Sequence, residues 1–193
     1  MAELSKLDSI MVDIETLSSN SNAVIVSISA VAFNLATGKM GEEFCMGLDI
    51  EQQVQLGSDL SANTLLWWLG QSSDAQSSLL STPRQDVIKV LKDFNEYINR
   101  VAKSEGVTLK QMQLWGNGAT FDNVIIKNLY QAAKIPFILQ YWADKDVRTL
   151  VYLSDLNVYK EKFTGIKHNG IDDCKHQIKY CHKAFKKLLN FAK

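Results

Sequence analysis

Cysteine and proline are scarce in this chain, and no apolar run approaches the ~20 residues that a membrane span requires. Three cysteines, Cys45, Cys174 and Cys181, are an odd and sparse set. That suits a reducing compartment better than a disulfide framework. Two prolines in 193 residues, with no repeat, no low-complexity stretch and no clear linker, suit one globular domain over 1–193. The opening MAELSKLDSI has no basic region leading into an apolar one, so no signal peptide is expected. Together these absences predict a soluble, cytoplasmic protein.

Net charge is absent as well, with 21 basic and 21 acidic residues. The chain therefore has no overall basic signature for nucleic acid. The distribution is uneven, however. Residues 160–193 carry nine lysines against Glu161, Asp172 and Asp173, a local balance of +6, so the remainder stands at −6. Such asymmetry marks a face for a polyanion, or lysines solvating a terminal helix; charge alone leaves both open.

What is present is an ordered set of strand and helix patterns. SIMVDIET (9–16) alternates, VIVSISAVAF (24–33) is a longer apolar run, and FCMGLDI (44–50) follows a turn at Thr37-Gly38. Three strands in succession predict a meander. Helical spacing follows: a segment capped by Asp59 or Ser61 and holding Leu65, Leu66, Trp68 and Leu69, then a long helix opened by Pro83 and running through Arg100. A short strand at 112–118, a helix at 120–133, a short helix capped by Asp146 and a last helix at 170–191 complete the pattern. The order predicts an α/β fold, a mixed sheet flanked by helices.

Asp13 and Glu15 are two apart on the first strand, so their side chains share a face. Two carboxylates at ~4 Å repel by roughly 1 to 4 kcal/mol, depending on the effective dielectric. Such a pair persists if solvated, protonated or bridged by cations. Asp122, in NGATFDN, reads locally as a helix first-turn acid. The stretch HNGIDDCKH (168–176) has zinc-like composition, with Cys181 and His182 close behind. Yet Cys174 and Cys181 fall on the apolar stripe of the last helix with Ile178, while His176 and His182 point elsewhere. Core cysteines and surface histidines account for them better than zinc. His168 with Asp173 five residues on is different: an acid in the first helical turn and an imidazole that can take a proton near neutral pH.

Taken in order, VDIET (12–16), GNGATFD (116–122) and HNGIDD (168–173) resemble the three motifs of DEDDh-type 3′→5′ exonucleases of the DnaQ-like, ribonuclease H-fold superfamily. TLLWWLGQS (64–72) and DVRTL (146–150) are similar to the DexA-like phage and bacterial group, which implies a phage or host cytoplasmic setting. The departures are Gly170 and Cys174, where the family commonly has alanine, and SSNSN (18–22) in place of a glycine-bearing turn.

The resemblance implies a ribonuclease H-like fold with three leading antiparallel strands, then parallel strands. It implies that Asp13, Glu15, Asp122 and Asp173 hold two divalent cations, Mg²⁺ or Mn²⁺, and that His168 is the general base. Thr16, Leu17, Asn117, Phe121 and Asn169 would contact substrate, with Trp67 a weaker candidate and Trp68 a core residue. The implied partner is a single-stranded DNA or RNA 3′ end, and no membrane. Family members often pair, which leaves a homodimer open. The same fold also hosts idle binding domains and endonucleases, and fold alone does not separate these.

Overall fold

In a computed structural model, which describes residues 5–191, six strands form one mixed sheet with helices on both faces. The strand order is β4-β3-β2-β1-β5-β6. β1 (Ser9–Thr16), β2 (Ile25–Phe33) and β3 (Met40–Leu48) form the expected antiparallel meander. β5 (Gln113–Gly116) then pairs parallel to β1, and β6 (Asp144–Asp146) parallel to β5. This is the predicted ribonuclease H-like arrangement.

β3 begins earlier than its sequence suggests. Asn34 closes the preceding turn by accepting from the Thr37 amide at 2.8 Å, and its own N–H reaches the Lys39 carbonyl at 2.9 Å. The chain is back in register by Met40, and exposed Glu42 and Glu43 on β3 hid the strand pattern.

The long helix differs at its start. Pro83 does not open it: Arg84 and Gln85 form β4, paired parallel with Gly47 and Leu48 of β3. That pairing delays α4 (Val87–Glu105), whose cap is Asp86, accepting from the Lys89 amide at 2.9 Å. Gly106, left-handed at φ 63°, ends it beyond Arg100. Two short helices, α1 (Ile50–Gln55) and α3 (Ser73–Ser81), were not anticipated, since neither carries a long apolar stripe. Between them α2 (Ala62–Leu69) is capped by Ser61 rather than Asp59. Asp59 instead accepts from Ser18 and Asn20, which pins the SSNSN turn.

α5 (Asp122–Ala132), α6 (Val147–Ser154) and α7 (Gly170–Phe191) follow the sequence reading closely. Strand alternation divides the core. Ile10, Val12 and Ile14 of β1 face a large cluster with α4 and α5. Met11 faces the other way, into a second cluster with Cys174, Ile178 and Cys181 of α7. Asp13 and Glu15 share the Met11 face, so the fold directs both carboxylates towards α7.

Candidate active site

The site lies where parallel strands β1, β5 and β6 end, the usual location of ligand crevices in open α/β sheets. β1 supplies Asp13 and Glu15. The loop after β5 and the start of α5 supply Asp122, and the start of α7 supplies His168 and Asp173. Two glycines permit these approaches. A Cβ on Gly116 would sit 2.5 Å from Asn123 Oδ1 and 3.2 Å from Asp122 Cβ. A Cβ on Gly170 would sit 2.5 Å from Ser29 Oγ and 3.4 Å from Asp13 Oδ2. The glycine at 170 thus lets α7 begin directly against β2, beside the first acid.

Glu15, His168 and Asp173 each offer a ligand atom, and these atoms all lie within 4.8 Å of one another. All three are half-buried. Asp122 is buried and its Oδ1 accepts from the Ile14 amide at 3.3 Å, tying α5 to β1. Burial, then the charges of Asp122, Glu15 and Asp173, hold the Asp13 carboxyl well above the usual carboxylate range. Burial and the charges of Asp173 and Asp122 push Glu15 up to about 8. Burial raises Asp122 to about 7, and burial with the Asp172 charge raises Asp173 to about 6. Four acids that resist joint ionisation are a cluster built for added positive charge. An all-carboxylate set fits hard divalent cations such as Mg²⁺ or Mn²⁺.

His168 has φ 64°, a left-handed backbone that few residues other than glycine adopt, asparagine, aspartate and histidine most readily among them. Trp67 and Trp68 hold its ring edge-on, with centroids 5.3 and 5.8 Å away. Burial and neighbouring Lys167 lower its pKa, favouring the neutral imidazole. Trp68 is 5% exposed and donates from Nε1 to the Thr16 carbonyl at 2.9 Å, whereas Trp67 is 48% exposed. The adjacent tryptophans therefore divide in burial as expected, Trp68 into the core and Trp67 outward, although both border the cleft beside Glu15.

The remaining substrate candidates separate. Thr16 and Phe121 line a cleft of about 240 Å³ with Glu15 and Trp67. Leu17 packs away from it, with Val24, Val26 and Trp68. Asn117 lines a different hollow, beside Arg148. Asn169 acts within the fold: its Oδ1 caps α7 through the Asp172 amide at 3.2 Å, and its Nδ2 donates to Ser78 Oγ at 3.2 Å. Asp172, the other acid in the first turn of α7, serves the fold. It is half-buried and accepts from the Ile166 amide at 2.9 Å, holding the loop that carries His168.

Sequence reasoning missed Gln177. It is buried one turn beyond Asp173, and its Nε2 donates to Asp13 Oδ1 at 2.9 Å. The i,i+4 spacing from Asp173 was the available signal. Asp146 has a second role besides capping α6: its Oδ2 accepts from the Ala119 amide at 2.8 Å, steadying the loop ahead of Asp122. For zinc, Cys174 and Cys181 are buried in the core, and His182 bonds the Leu35 carbonyl at 2.9 Å. Among the described residues the one His, Cys, Asp and Glu cluster with metal-binding spacing is Glu15, His168 and Asp173.

The chain matches the family described as the 3′-5′ exoribonuclease Rv2179c-like domain over residues 8–185, and it belongs to that family. It is accordingly an enzyme of the 3′-5′ exonuclease class. Solved structures with the same fold include the nuclease domain of 3′hExo, a DEDDh family member bound to rAMP. That structure is 16% identical, with TM-score 0.59, and the match covers 92% of this chain and 91% of that one. A 3′-exonuclease recognising the 3′ end of histone mRNA stem-loop is 17% identical with TM-score 0.59, covering 94% and 83%. Cell-death related nuclease 4 is 15% identical with TM-score 0.54, covering 92% and 63%. No curated protein matches the chain. Among the described residues no helix is long and apolar enough to cross a membrane.

Proposed function

We propose that this member of the family removes 5′-mononucleotides one at a time from single-stranded 3′ ends, RNA foremost, with His168 as general base. The observation that carries the reading is the convergence of Glu15, His168 and Asp173 within 4.8 Å, beside two further raised carboxylates. Asp13, Glu15, Asp122 and Asp173 would hold two divalent cations, Mg²⁺ or Mn²⁺. Such a pair supplies charge to a phosphodiester and its leaving 3′-oxygen.

The chain's own residues account for the rest. An imidazole nitrogen of His168 takes a proton from the attacking water, whose oxygen bonds phosphorus as the bond to the upstream 3′-oxygen breaks. The leaving 3′-oxygen takes a proton from solvent, so that the upstream strand departs with a new 3′-hydroxyl, and His168 returns its proton to solvent. The left-handed backbone at His168 and the two tryptophan edges hold the ring over the acids. Thr16, Phe121 and Trp67 enclose a cleft suited to the terminal nucleoside. The segments TLLWWLGQS and DVRTL support a place beside DexA-like exonucleases within this class.

The test is hydrolysis of 5′-labelled single-stranded RNA and DNA with Mn²⁺, Mg²⁺ or EDTA, run beside Asp13→Asn. A ladder shortening from the 3′ end, abolished by EDTA and by the substitution, is expected. Cleavage of a circular strand would instead assign an endonuclease. Binding without any cleavage would assign an idle domain of the same fold. A solution mass decides whether the chain pairs.

A further inference from the structure

A second hollow, about 410 Å³, lies apart from the Trp67 cleft, between Asn117, α6 and Tyr180 of α7. Its walls are Asn117, Arg148, Tyr152, Tyr159 and Tyr180, over a floor of valines from α6 and the short helical turn Val158–Lys160. The reading of the chain as an exonuclease does not use it.

Three observations give it a ligand. First, Tyr152 is 83% exposed and Tyr159 is 96% exposed, so two rings border one groove without packing into the core. Exposed rings beside an apolar floor are platforms on which bases stack, whatever their sequence. Second, the charge matches a phosphate backbone. Arg148 is exposed on the wall, and exposed Lys160 and Lys162 follow Tyr159 directly. They open the lysine-rich stretch 160–193, whose balance of +6 the acid site leaves unexplained. Third, one wall of the groove reaches the loop that carries Asp122, whose amide donates to the Gly118 carbonyl at 3.3 Å. The Arg148 guanidinium lies against Gly118, where a Cβ would meet its Cζ at 3.2 Å, and its charge opposes the raised pKa of Asp122. Tyr180, which also lines the groove, lies three residues beyond Gln177 on α7, the residue that bonds Asp13.

A 3′-exonuclease must seat the departing nucleotide on one side of the scissile phosphate and the remaining strand on the other. The Trp67 cleft, about 240 Å³, is the smaller hollow and directly adjoins Glu15. We propose that the larger groove holds the nucleotides upstream of the scissile phosphate, with Tyr152 and Tyr159 stacking on bases and Arg148, Lys160 and Lys162 facing phosphates. This rests on the exonuclease reading and adds the path of the strand. It predicts that the enzyme prefers oligonucleotides over dinucleotides, because a dinucleotide leaves the outer groove empty.

The experiment compares wild type with Tyr152→Ala/Tyr159→Ala and Tyr152→Phe/Tyr159→Phe on a dinucleotide and a single-stranded heptanucleotide. A stacked base contributes enough that losing its ring weakens binding about tenfold or more. The alanine pair should raise KM on the heptanucleotide by at least that factor, leave kcat and dinucleotide turnover unchanged, and be rescued by the phenylalanine pair. Equal KM for wild type and the alanine pair on both lengths overturns the proposal. Anisotropy of a 5′-fluorescein heptanucleotide in EDTA reads the groove without hydrolysis. Weaker binding by the alanine pair supports the groove even if the wild type cleaves nothing, in which case the exonuclease reading alone fails. Unchanged anisotropy, or an alanine pair that turns a dimer into a monomer at unchanged anisotropy, overturns the strand path and assigns these tyrosines elsewhere.

Discussion

The Gln177 amide donates to the Asp13 carboxylate at 2.9 Å, from one turn beyond Asp173 on the same helix. α7 therefore brings one acid into the cluster and orients another that belongs to β1. An amide suits this place because it adds a donor without adding charge to four acids that already repel. A carboxylate so held costs less to align when a cation arrives.

Gln177→Leu should keep the fold, since Gln177 is buried beside apolar neighbours on α7. Activity or metal affinity should fall by about 10- to 100-fold, the usual cost of losing a partner that orients a metal-binding carboxylate. Titration of Mn²⁺ against activity, with melting measured in EDTA, separates this from unfolding. An unchanged Mn²⁺ requirement would remove the positioning role.

The raised carboxylates predict how pH and cations trade in stability. Glu15, Asp122 and Asp173 are raised to about 8, 7 and 6, above their unfolded values near 4. Their folded state binds more protons, so without a cation their contribution is fully present below about pH 4 and is lost as pH rises from there through their folded values of about 6 to 8. Added Mn²⁺ should therefore raise the melting temperature more at pH 8.5 than at pH 5.5. Scans with Mn²⁺ and with EDTA across that range check it; equal shifts at both ends would contradict a cation-loaded acid cluster.

His168→Asn should separate base from backbone. Asparagine tolerates the left-handed conformation that His168 adopts at φ 64°, so the loop keeps its shape. Turnover should fall by about 10²- to 10⁴-fold, the contribution of a positioned general base. The melting temperature should change by about 2 °C or less, less than a cost of 1 kcal/mol would bring in a domain of this size. Single-turnover rates beside calorimetry measure both.

Gly170→Ala should be destabilising although it merely adds a methyl group. The new Cβ would lie 2.6 Å from Ser29 Cβ, so α7 must shift or β2 must give, at a cost of about 1 to 3 kcal/mol. Ser29→Gly removes that clash and should recover most of the loss in the double variant. Denaturant melts of the two singles and the double form the required cycle.

The strands that carry the site were legible because alternation and β-branching mark them; β1 runs over Ser9–Thr16 as read. α7 was legible from an apolar stripe at helical spacing, and Cys174, Ile178 and Cys181 are buried along it. β4 and β6 were not, because two or three residues carry no period. Their existence comes from neighbours, Gly47 and Leu48 for β4 and β5 for β6. Pro83 misled for the same reason: its sequence context suits a helix start, but the sheet edge claims the next two residues.

The site divides along the same line. The resemblance of three ordered motifs to DEDDh exonucleases named Asp13, Glu15, Asp122, His168 and Asp173 as candidates, which the residues taken singly did not. A strand face fixes where adjacent-but-one acids point, and a helix start fixes Asp173 against His168. What the sequence left open is contact between segments distant along the chain. Only the folded structure puts Gln177 on Asp13, turns Leu17 away from the cleft, employs Asn169 as the α7 cap and brings Arg148 over Gly118. Each depends on how helices pack on a twisted sheet, and no local pattern encodes that packing. Periodicity sets which way a side chain faces; tertiary packing sets what it meets there.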